Sequence, residues 1–157
     1  MGPTRVGSRA EDGSAMARTF EVLLVEDNPA DARLTEEAFG DGKIPSRLHV
    51  VQDGAEAMTY LHRQGTYQNV PRPDVVLLDL NLPKKDGREV LAEMKTHPDL
   101  KRIPVVVLTT SEAEQDVLKS YDLHANCYVP KPGDLERYLA AIRSIREFWL
   151  STAKLPP

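Results

Sequence analysis

Apolar residues along the chain alternate between short unbroken runs and longer stretches in which they recur every three or four positions. The runs are Glu21-Val22-Leu23-Leu24-Val25 after Phe20, Arg47 to Val51, Asp74-Val75-Val76-Leu77-Leu78-Asp79-Leu80-Asn81-Leu82-Pro83, Pro104 to Leu108, and Asn126 to Val129. Runs of this kind read as strands covered on both faces. Helix-opening chemistry follows them. Asn28-Pro29 supplies an N-cap and a proline at the first helical position, ahead of Leu34, Ala38 and Phe39 on one face. Asp53-Gly54-Ala55-Glu56 and Ser111-Glu112-Ala113-Glu114 have capping-box spacing, opening helices through Leu61 and to about Leu123. Gly87 to Lys95 predicts a helix with Val90, Leu91 and Met94 inward, stopped by Pro98. The last helix runs from about Asp134 to Leu150, with Leu135, Leu139, Ile142, Ile145 and Trp149 at helical spacing. Gly65 to Pro73 reads as an exposed connection.

Residues 1–19, rich in Gly, Ser, Arg and Ala without periodicity, read as a disordered tail, and residues 151–157 as a short C-terminal one. Between them, residues 20–150 alternate five strands with five helices. That alternation predicts an α/β fold with one parallel sheet, helices on both faces and right-handed crossovers. The usual solution at this size is the flavodoxin-like (βα)5 arrangement, with strand order 2-1-3-4-5. Strands one and three are then neighbours. Glu26, Asp27 and Asp79 converge at their C-terminal ends, and Thr109 and Lys131 follow on the next two.

Composition narrows the function classes. A chain of 157 residues has room for one domain with a full core. Its net charge of -4 argues against a general nucleic-acid binder. Cys127 is the sole cysteine, so no intrachain disulfide forms. The apolar runs are far too short to cross a bilayer, and the N-terminus lacks the apolar core of a secretory signal. A cytoplasmic protein is expected.

The acids carry the chemistry. Three carboxylates held close together repel one another, so they must share protons or hold a cation. A small oxygen-ligand site with room for water suits Mg²⁺. With Asp27 and Asp79 on the metal, the other oxygen of Asp79 is free to attack phosphorus and form an aspartyl phosphate. The transferring group needs positive charge and donors around its oxygens. Lys131 offers the first, and the hydroxyl of Thr109 the second. Taken singly, Glu26-Asp27 also reads as a solvated helix start and Lys131 as a loop lysine; their shared place at C-terminal strand ends points to a site. His124 and Cys127 read as structural.

Four motifs in order then carry a resemblance: Val25-Glu26-Asp27-Asn28, Leu78-Asp79-Leu80-Asn81-Leu82-Pro83 with Asp86-Gly87, Leu108-Thr109-Thr110-Ser111, and Tyr128-Val129-Pro130-Lys131-Pro132. Over roughly Phe20 to Leu150 the chain resembles a response-regulator receiver domain of two-component signalling. The resemblance implies that Asp79 is the phosphoacceptor, charged from a phosphohistidine on a sensor histidine kinase. It implies Mg²⁺ on Asp27, Asp79 and the backbone carbonyl of Asn81, with Glu26 helping through water. Thr109 and Lys131 would contact the phosphoryl oxygens, Lys131-Pro132 would be a cis peptide, and Thr109 and Tyr128 would be the switch pair. Such a protein is a signalling component that promotes its own phosphorylation and dephosphorylation, not an enzyme acting on a separate substrate.

Longer stretches narrow the resemblance to single-domain receivers serving phytochrome-type, light-sensing kinases. They are Tyr60-Leu61-His62-Arg63, Asn81 to Leu91, Ser120 to Tyr128, and Phe148-Trp149-Leu150. Gly133 departs from the apolar residue that receivers commonly place there. With no effector domain expected after residue 150, output goes through a target or a phosphotransfer protein. Relatives imply a homodimer through the surface of the last two helices and the fifth strand.

Two alternatives belong to other classes. One is a phosphatase of haloacid-dehalogenase type with Asp79 as nucleophile, which normally carries a second Asp where Asn81 stands. The other is a receiver-like binding module that never takes phosphate, which usually lacks one of the acids or the lysine.

Overall fold

The computed structural model describes residues 19–40, 45–109, 125, 127–131 and 134–149. In chain order the elements are β1 (Phe20–Val25), α1 (Pro29–Gly40), β2 (Ser46–Val51), α2 (Gly54–Leu61), a 3-10 turn (Gly65–Tyr67), β3 (Val75–Asp79), α3 (Gly87–Thr96), β4 (Val105–Thr109), β5 (Cys127–Pro130) and α4 (Leu135–Glu147). The helix expected over 111–123, the tails at 1–18 and 151–157, Gly133, and the peptide bond into Pro132 lie outside the described residues.

The strands form one parallel sheet in the order β2-β1-β3-β4-β5, the order the alternation predicts. Leu77 of β3 lies between Leu24 and Val106, and all five residues of β3 are buried. Successive side chains of a strand point to opposite faces, so the inner strands feed two cores. Leu23, Val76, Leu78, Val105 and Val107 pack with Leu61, Val90, Leu91 and Met94 of α2 and α3. Val22, Leu24, Val75, Leu77 and Val106 pack with Phe39, Ile142 and Ile145 of α1 and α4. Strands covered on both faces have no room for polar alternation, which is why the inner strands β1, β3 and β4 read as apolar runs, while the edge strand β2 keeps Arg47 and His49.

The helix starts follow their caps. Asn28 Oδ1 accepts from Ala30 N at 2.9 Å and Asp31 N at 3.2 Å. Asp53 accepts from Glu56 N at 2.7 Å, but the box expected there is only half formed: Glu56 turns to Gln52 N, at 3.0 Å, and to the Tyr67 hydroxyl. The complete box is at α3, between Asp86 and Glu89. β5 runs one residue later than expected.

Leu135 departs from the expected stripe and remains 54 % exposed, while Tyr138, Ile142 and Ile145 form the buried one. Helical side chains lean toward the N-terminus, so a residue of the first turn points past the start of its helix.

Two glycines clasp the loop after β3. A Cβ on Gly87 would stand 2.3 Å from Asp79 O, and one on Gly54 1.9 Å from Lys85 O. Gly87 N donates to Leu80 O at 3.1 Å, so the chain beyond Asp79 is pinned to the start of α3.

Candidate functional site

The C-terminal ends of β1, β3 and β5 bring the predicted charged residues together. Glu26 follows β1 directly, its N–H bonded to Val51 O at 3.0 Å, and is 2 % exposed. Asp79 closes β3 at 7 % exposure, while Asp27 is exposed. Oxygens of Glu26, Asp27 and Asp79 all lie within 4.8 Å of one another. Backbone donors hold the carboxylates: Asn28 N to Glu26 Oε2 at 3.2 Å, and Asn81 N to Asp79 Oδ1 at 2.9 Å.

Lys131, the residue after β5, answers the repulsion among these acids. Its side chain is 3 % exposed, and Nζ donates to Glu26 Oε1, to Asp79 Oδ2 at 3.2 Å and to Asp31 Oδ2 at 3.1 Å. Asp31 is a site residue that the sequence reading misses. Its signal is position: it lies in the first turn of the helix that Glu26-Asp27 lead into, where a side chain leans back toward the strand end.

Electrostatics follow from this packing. Burial pushes the Glu26 carboxyl up to about 7, the Asp79 charge adding to the effect and the Lys131 ammonium opposing it. Burial also works against the charge on Lys131, yet its hydrogen bond to Glu26 and the charges of Asp79 and Glu26 hold it above the ordinary lysine value. The lysine is thus a resident cation in an acidic pocket.

Asn81 enters through its backbone N–H on Asp79. Thr109 and Tyr128 are placed by their backbones alone, their side chains lying outside what is described. Thr109 ends β4 in register with Pro130, and Tyr128 pairs with Val107, which puts Tyr128 on the strand that leads into the lysine and Thr109 at the end of its neighbour. Two buried acids, one exposed acid and a partly open edge match the donor chemistry of a hard divalent cation, which takes carboxylate oxygens and keeps water.

The same residues fall inside a wider match. A family model for the response regulator receiver domain fits residues 22–143. The chain belongs to this family. It is similar to response regulator Rcp1 of Synechocystis, with 56 % identity over 135 residues, 86 % of this chain and 92 % of the relative. The phosphorylated cyanobacterial phytochrome response regulator RcpA superposes with a TM-score of 0.87 at 56 % identity, covering 89 % of this chain and 100 % of that one. The Mn²⁺-bound form of Rcp1 gives a TM-score of 0.85 at 54 % identity, over 88 % of this chain and 99 % of that one. This receiver chain is therefore a response regulator, a signalling protein close to phytochrome response regulators. No helix among the described residues is long and apolar enough to cross a membrane.

Proposed function

We propose that Asp79 accepts a phosphoryl group from the phosphohistidine of a phytochrome-type sensor histidine kinase. The observation that carries this reading is the setting of Asp79 in a receiver chain: a nearly buried carboxylate at the end of the central strand, touched by Lys131 and bordered by Glu26 and Asp27. An oxygen of Asp79 attacks phosphorus, the P–N bond breaks, and the imidazole keeps its electron pair. Lys131 places positive charge beside the oxygen that becomes the acyl phosphate. Glu26, Asp27, Asp79 and the backbone carbonyl of Asn81 would hold Mg²⁺. When bound, that ion offsets the negative charge of the incoming group.

The phosphorylated state is read out by a switch involving Thr109 and Tyr128, a local charge change biasing a two-state element. The chain promotes both its own phosphorylation and the later hydrolysis. It works in the cytoplasm as residues 20–150 of receiver domain between two tails, forms a homodimer, and passes the signal to a target or phosphotransfer protein.

The test is transfer from an autophosphorylated phytochrome-type kinase carrying labelled phosphate. Label moves to the wild-type chain and stays on the kinase with Asp79→Asn. Label that reaches the Asp79→Asn chain equally well overturns the assignment, and steady turnover of phosphate esters instead favours the dehalogenase-type alternative.

A further inference from the structure

Lys131 is held by three carboxylates, and only two of them belong to the acid cluster. Asp31 is the third. Its side chain is 30 % exposed and receives Lys131 Nζ at 3.1 Å, yet it is not among the acids whose oxygens gather within 4.8 Å of one another. An ammonium has three N–H donors, and here Glu26, Asp31 and Asp79 take them. Under the proposed function, a cation and a phosphoryl group lay claim to Glu26 and Asp79. Asp31 is then the partner of Lys131 that the reaction leaves alone.

Asp31 is itself braced. Its backbone carbonyl accepts from Thr35 Oγ1 at 2.9 Å. A threonine hydroxyl has one proton to give, so Thr35 Oγ1 in turn accepts from Tyr138 Oη at 2.9 Å. Thr35 is fully buried and Tyr138 is 5 % exposed, which ties the turn carrying Asp31 to α4.

We propose that Asp31 is a positioning residue: it draws the Lys131 ammonium toward α1 and so keeps Glu26 and Asp79 available to a divalent cation. This rests on the function proposed for the acid site. Without Asp31 the ammonium, already bonded to Glu26 and Asp79, has these two alone as carboxylate partners among the described residues, and competes with the cation for the same oxygens. A negative charge at position 31 also attracts a cation directly through space, but that attraction does not depend on Lys131.

A double-mutant cycle separates the two effects. Mg²⁺ affinity is measured by titrating MgCl2 calorimetrically into wild type, Asp31→Asn, Lys131→Met and the double variant, with Lys131→Gln in place of Lys131→Met should the latter not fold. Asp31→Asn is expected to weaken Mg²⁺ binding about fivefold when Lys131 is present and less than about twofold when it is absent. Equal losses in the two backgrounds, or no loss in either, overturn the positioning role while leaving the acid site standing. Failure of wild type to bind Mg²⁺ overturns the metal-dependent function itself, and the positioning role with it.

Discussion

Lys131 Nζ lies 3.2 Å from Asp79 Oδ2 across the end of the sheet, with the lysine side chain 3 % exposed. At that burial the lysine offsets the charge of the carboxylates when no divalent cation is present. Removing one partner of a buried ion pair strands the other. Lys131→Met is therefore expected to lower the unfolding free energy by about 3 kcal/mol in EDTA, and by less in saturating MgCl2, where the metal replaces the lost charge. Urea denaturation in the two solutions measures the difference; equal losses would contradict a shared pocket.

The loop after Asp79 tolerates no side chain at either glycine that clasps it. A Cβ at position 87 would meet Asp79 O at 2.3 Å and Leu80 Cα at 2.7 Å, both backbone atoms that cannot swing aside. Gly87→Ala is expected to cost about 3 kcal/mol of stability. It also slows phosphorylation by a small phosphodonor, because the Asn81 N–H on Asp79 moves with the loop. Gly40→Ala is the control, since a Cβ there meets nothing within 4 Å.

The Thr35 to Tyr138 hydrogen bond joins α1 to α4 inside the apolar layer. Tyr138→Phe deletes the donor and leaves the Thr35 oxygen short of a partner. The expected loss is about 1 kcal/mol. In the Thr35→Val background, Tyr138→Phe costs less than it does alone, and denaturation midpoints of the four proteins read the difference.

Glu93 supplies an acid-dependent contribution to stability. Hydrogen bonds from Lys85 and His62 hold its carboxyl below the ordinary glutamate value. A depressed folded-state value means that the contribution is fully present above about pH 4.5, the value of the unfolded chain. It is lost as pH falls through the folded value. The side chain is 36 % exposed, so solvent screening limits the contribution to about 1 kcal/mol or less. The stability gap between wild type and Glu93→Gln is expected to close on acidification below that point. A gap that stays constant to the end of the acid transition would contradict the pairing.

The fold was legible because the three inner strands β1, β3 and β4 are covered on both faces, which writes Val22 to Val25, Val75 to Leu78 and Val105 to Leu108 as plain apolar runs. Glu26, Asp27, Asp79 and Lys131 were legible for a related reason. Glu26-Asp27 and Asp79 end the first two of those runs, Lys131 follows β5, and the topology carries them to one edge. Asp31 was not, because its contact joins the first turn of α1 to a lysine 100 residues away. Leu135 misleads in the opposite direction: helical spacing places it on the core stripe, but spacing does not say where the helix runs out of sheet to cover. Glu56 has the sequence of a capping box and spends its carboxylate on Gln52 N and Tyr67 instead, a choice made by the 3-10 turn that delivers the tyrosine.

Mass spectrometry after incubation with a small phosphodonor tests the phosphoacceptor assignment most directly. Wild-type protein in MgCl2 is expected to gain the mass of one phosphoryl group, and to gain none in EDTA or as Asp79→Asn. A gain that persists in Asp79→Asn, or wild-type protein that takes up no phosphoryl group in MgCl2, would contradict the account.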